Sequence, residues 1–94
     1  MTKELLIKIS TDLLDKPFRK GLRRLLKAHP GKTAVRILVY NPHYGTAMEF
    51  ISRTCSVDPC PDLLSGLRSL GTDAGPYDGL TPIPIPHPTK TDNT

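Results

Sequence analysis

The stretch that most constrains this chain is Lys16 to Tyr40, KPFRKGLRRLLKAHPGKTAVRILVY. Phe18, Leu22, Leu25, Leu26 and His29 recur at helical spacing and form one apolar stripe. Arg19, Lys20, Arg23, Arg24 and Lys27 take the remaining faces. Pro17 suits a first helical turn, where its missing N–H costs nothing. His29-Pro30-Gly31 ends the helix, because proline disfavours continuation and Gly31 can supply the positive φ of a turn. Ala34 to Tyr40 is then an apolar, β-branched run that predicts a strand. A helix packed on the strand that follows it is the expected nucleus.

The flanking segments extend this pattern. Glu4 to Ile9 alternates, with Leu5, Ile7 and Ile9 on one side and Lys8 on the other, as in a half-buried strand. Ser10-Thr11-Asp12 is turn and cap material, so the helix starts either near Asp12 or at Pro17. Gly21 inside it suggests close packing against a strand. Asn41 to Gly45 reads as a hairpin loop. Thr46 to Ser52 is the returning strand, with Met48 and Phe50 on one face, and Arg53 to Val57 either extends it or forms a separate piece. Asp58 to Pro61 opens a second helix, whose stripe is Leu63, Leu64, Leu67 and Leu70 and whose stop is Gly71. The order β-α-β-β-α predicts a small α+β domain with helices on one face of a three-stranded sheet, a fourth strand being left open. Residues 1–75 form this single domain. Thr72 to Gly79 reads as loop, and 76–94 as a Pro-rich tail without fixed structure, because proline at every second position from Pro82 to Pro88 cannot donate ladder hydrogen bonds.

Charge and cysteine usage bound the function. The net charge is +4, but residues 1–40 hold ten Lys/Arg against three acids, and residues 41–94 hold three against six. The basic half suits nucleic acid or an acidic partner, and it equally suits a merely solvated helix face. No apolar run approaches a membrane span or a signal peptide, so a cytoplasmic protein with reduced thiols is expected. Cys55 and Cys60 with His29 and His43 make a poor zinc set, because the spacing of the two cysteines is loose and no second pair exists. Small buried thiols are the simpler reading. No metal and no cofactor are expected. Gly31-Lys32-Thr33 lacks the upstream glycine of a phosphate loop and precedes a strand. The acids Glu49, Asp58 and Asp62 form no paired-carboxylate pattern, so no catalytic residue is assigned and an enzyme is not expected.

Leu5 to Ile9, then Leu22-Arg23-Arg24-Leu25-Leu26-Lys27-Ala28-His29-Pro30-Gly31-Lys32-Thr33-Ala34-Val35, and Val57 to Gly71 together resemble the extreme C-terminal domain of the bacterial DNA polymerase III alpha subunit. That family runs strand, helix ending in His/Asn-Pro-Gly, strand, hairpin, Val-x-Pro-Ser-x-x-Leu-Leu, and a Leu-rich helix ending in glycine. The resemblance implies a domain that follows an OB-fold, carries no polymerase chemistry and docks the tau subunit of the clamp-loader complex. The chain departs from the pattern at Cys60, where the family has serine as a better N-cap. It departs again after Gly71, where a last strand is replaced by Gly75-Pro76 and the Pro-Ile repeat, leaving an unpaired edge.

Two functional expectations follow. A protein-interaction module would present its second helix and flanks, through Leu64, Arg68, Leu70 and Tyr77, to tau. A small basic nucleic-acid-binding domain would instead use Arg19, Arg23, Arg24 and Lys27 on DNA phosphates. A homodimer through the sheet edge and a relic without a present partner stay open.

Overall fold

A computed structural model of the protein describes residues 4–83, and of 53–55 the backbone alone. In chain order it contains β1 (Glu4–Ser10), a single 3-10 turn (Thr11–Leu13), α1 (Lys16–Ala28), β2 (Pro30–Asn41), β3 (Thr46–Val57), α2 (Pro61–Ser69) and β4 (Asp73–Tyr77). The four strands form one sheet in the order β3-β2-β1-β4. β1 and β2 are parallel, and the other two pairings are antiparallel. A parallel pair needs a crossover, and α1 supplies it.

Alternation decides which face each strand residue takes. Leu5, Ile7 and Ile9 lie opposite Val35, Ile37 and Val39. Leu5, Ile7, Ile9 and Val35 join Phe18 and Leu26 of α1 and Leu63 and Leu67 of α2 in one buried cluster. Both helices therefore cover the same face, α1 toward β3 and α2 toward β4. Among the described residues the other face carries no helix, although Leu6 and Leu38 are buried on it.

The element boundaries have local causes. Asp15 caps α1, its Oδ1 accepting from the Phe18 N–H at 2.9 Å. The alternative helix start at Asp12 is a separate 3-10 turn, capped by Ser10. Gly21 faces Leu70 at the end of α2 rather than a strand. α2 ends in a Schellman motif: Gly71 takes φ 94°, its N–H reaches the Arg68 carbonyl and the Thr72 N–H the Leu67 carbonyl. The buried Thr72 hydroxyl also donates to Leu67 O at 2.8 Å.

Three sequence expectations are corrected. Gly31 has no positive φ. It is required by space, since an added Cβ would lie 2.5 Å from the backbone of Val57 and Asp58. There β2 meets the end of β3, and the Asp58 N–H donates to the His29 carbonyl at 2.9 Å. Asp73 to Tyr77 is a strand rather than a loop, pairing with β1 from Glu4↔Tyr77 to Lys8↔Asp73. Among the described residues β1 is accordingly not an unpaired edge, because β4 covers it, and β3 forms the other edge of the sheet. Of the expected Pro-rich tail, Pro76 and Tyr77 belong to β4, and Asp78 then accepts from Leu80 N, Thr81 N and the Thr81 hydroxyl; residues 84–94 lie outside the described residues.

Candidate functional site

The sequence points to the second helix as the partner surface. Leu63 and Leu67 point into the core, which turns Leu64 and Arg68, one turn apart, toward the flank. Leu64 is half-buried and walls a groove of about 310 Å³ with Leu5, Thr33, Pro59 and Pro76. Arg68 is exposed one turn further along α2 and does not line it. Leu70 is half-buried against the core and packs toward Gly21, so it joins the two helices. Tyr77 is separated from these three. The register places Pro76 opposite Leu5 and Tyr77 opposite Glu4, so Pro76 faces α2 and Tyr77 faces away. Pro76 is the residue that sequence reasoning misses, because a loop reading of β4 carries no alternation to place it.

On the helix-free face Tyr77 belongs to a cluster that draws on all four strands. Arg36 of β2 donates from Nε to Glu4 Oε1 at 2.5 Å and from Nη2 to Oε2 at 3.2 Å. Its Nη1 reaches Glu49 of β3 at 3.5 Å, and its guanidinium lies 5.2 Å from the centre of the Tyr77 ring. The Arg36 hydrogen bond holds the Glu4 carboxyl below its usual range, and Glu4 in turn raises Arg36. With Arg36 and Glu4 side chains only 14% and 16% exposed, their pair ties β1 to β2, while Glu49 at its edge stays 47% exposed. Its sequence signal is the lone charge inside the apolar run of β2.

The alternative nucleic-acid residues fall into two groups. Arg19, Arg23 and Lys27 follow one another at helical spacing along the side of α1 toward β3. They border a groove of about 590 Å³ floored by Phe18, Leu22 and Ile37. Arg24 is exposed but does not line it. Among the described residues no carboxylate pairs with any of the four.

The conceivable zinc set is dispersed. Cys60 Sγ lies 3.4 Å from His29 Nδ1, whereas His43 Nε2 is 3.3 Å from Asp12, and the Cys55 side chain is outside the described atoms. Among the described residues no three His, Cys, Asp or Glu side chains gather as a metal would need. Cys60 is a free thiol at the N-cap of α2 and makes no capping bond. Among the described residues no helix is long and apolar enough to cross a membrane.

Comparison with models of known families matches residues 5–71 to the C-terminal domain of the DNA polymerase III alpha subunit. Comparison with curated proteins gives no match. The matched segment ends at the Gly71 stop of α2 and leaves β4 outside it. This family is an accessory part of a replicative polymerase and not its catalytic domain, which ties the chain to DNA replication and to work within a protein complex. With its parallel β1-α1-β2 unit, its His-Pro-Gly junction and its Leu-rich α2 all inside the matched span, the chain belongs to the family of C-terminal domains of the DNA polymerase III alpha subunit.

Proposed function

We propose that this domain is a non-catalytic docking module that holds the tau subunit of the clamp-loader complex on its α2–β4 side. The observation that carries the reading is the groove between α2 and β4, where half-buried Leu64 walls one side, with Pro76 opposite and Arg68 exposed one turn along α2 from Leu64. Apolar walls with Glu4 at the groove and an exposed arginine one turn away on α2 resemble the core-and-rim arrangement of protein interfaces. Leu70 supports this surface from beneath by holding α2 against α1. Tyr77 supports it from the far side of β4 through Arg36.

Titration of the tau C-terminal domain against the 94-residue chain tests this. Arg68→Ala and Leu64→Ala should each weaken binding about tenfold, in variants whose circular dichroism is unchanged. Binding that both folded variants retain in full refutes the assignment. Primer–template DNA in the same titration tests the alternative role of Arg19, Arg23, Arg24 and Lys27. There log affinity should fall against log salt by about 0.9 per phosphate neutralised.

A further inference from the structure

Beyond the tau surface, the opposite side of the helical layer is unfinished. On β3 Met48, Phe50 and Ser52 share the helix-covered face, and Met48 and Phe50 lie opposite Val39 and Ile37 of β2. They are 63% and 50% exposed. Single exposed apolar residues are ordinary. Here, however, Met48 and Phe50 adjoin on one face, and Phe50 lies opposite Ile37, which is part of the floor of the α1 groove, with Ser52 as the β3 residue that lines it. Along the rim of that groove stand Arg19, Arg23 and Lys27. Like charges one turn apart destabilise a helix, and among the described residues no carboxylate forms an ion pair with them.

We infer that the α1–β3 groove is a docking site for an acidic amphipathic helix of a partner protein. The spacing favours a helix. Four residues advance about 6 Å along α1, and carboxylates four residues apart on a helix laid beside it advance equally. One such helix meets all three cations in register while its apolar stripe covers Phe50, Ile37 and Leu22. Duplex DNA would satisfy the cations and leave Met48 and Phe50 in water. A second copy of this chain would bring the same three cations to the same rim. Only a partner combining apolar and acidic groups complements both features.

The test uses the whole chain and a fluorescent peptide of about 15 residues, with a leucine stripe flanked by three glutamates one turn apart. Anisotropy should show binding. It should be lost when the leucines become serine and when the glutamates become lysine. Phe50→Ser and Arg23→Glu should each weaken it about tenfold, while Arg24→Glu and Arg68→Ala leave it unchanged. Because Phe50 and Arg23 are exposed, thermal melting should show all variants folded, and Met48→Ser repeats the apolar arm. Failure of the peptide to bind, or binding undiminished in both Phe50→Ser and Met48→Ser, overturns the inference. So does binding of a short DNA duplex alone, lost equally in Arg24→Glu, which assigns the face to nucleic acid. Concentration-dependent self-association abolished by Phe50→Ser overturns it too, by assigning the face to a second copy. Since Arg68→Ala is silent here, loss of this site and loss of the tau surface are separable.

Discussion

Replacing Gly31 by alanine should be the most damaging single-methyl change in the domain. The new Cβ would sit 2.5 Å from Asp58 N and Val57 C and 2.6 Å from Val57 O. All three are backbone atoms, so no side chain can swing aside; the start of β2 must part from the end of β3. Overpacking of this kind costs about 1–3 kcal/mol. Parting the strands also breaks the bond from Asp58 N to His29 O, worth about 1 kcal/mol. Alanine's lower unfolded-state entropy returns about 0.4–1 kcal/mol. The net loss is about 1–3.5 kcal/mol, which for a domain of this size lowers Tm by about 4–28 °C. Gly45→Ala is the control, because its added Cβ meets nothing within 4 Å and only the φ of 69° opposes it. That strain costs about 1 kcal/mol. Urea denaturation of both variants checks the argument through their midpoints at constant slope. If Gly31→Ala costs no more than Gly45→Ala, the close approach of β2 to Val57 is not what requires glycine.

Three further outcomes are expected. Cys60→Ser should supply the missing α2 cap and stabilise by about 1 kcal/mol; an unchanged or lower Tm would show that the contact of Sγ with His29 matters more. Glu4 has its pKa lowered by Arg36, so its contribution is full above the ordinary carboxylate range and is lost as pH falls through the lowered value. Glu4→Gln should therefore flatten the dependence of stability on pH below 4.5, and an unaltered acid slope would deny the pair that role. Asp78 is held down to about 2 by the Thr81 hydroxyl first and then by the Thr81 and Leu80 N–H groups. Thr81→Ala should raise it, as read by carboxyl chemical shift against pH, and an unmoved titration would discount that hydroxyl.

The parts of the fold that are legible in the sequence depend on near neighbours. The stripe of α1, the alternation of β1, the Asn41–Gly45 hairpin and the Gly71 stop each follow from periods and turn chemistry within a few residues. What the sequence conceals depends on distant chain. Gly75-Pro76 looks like a strand breaker, yet β4 sits at the sheet edge and needs partners on one side only, where proline is tolerated. As a loop it would have no alternation to separate Pro76 from Tyr77, and Tyr77 then falls in with α2. Arg36 finds its carboxylates 32 and 13 residues away, beyond any local pattern. Gly31 looks necessary as a turn residue, but its true obstacle is Val57, and no short sequence window contains both.

The two edges of the sheet are built differently, and the difference bears on function. β4 is five residues long and carries Asp73, Gly75 and Pro76, the short, charged and proline-bearing form that resists pairing. Arg36, gripped by Glu4 and set against Tyr77, holds it in place. That makes β4 a firm wall for the α2 groove rather than a template for another strand. β3 is twelve residues long, has no proline, and exposes Met48 and Phe50 on the helix-covered face and Ile51 on the other. An isolated domain with such an edge is exposed to aggregation unless something covers it. The cations of α1 stand over that same side and not over β4. Charge and apolar surface thus lie together on the side where the sheet is least protected, which is the arrangement the proposed acidic helix would cover.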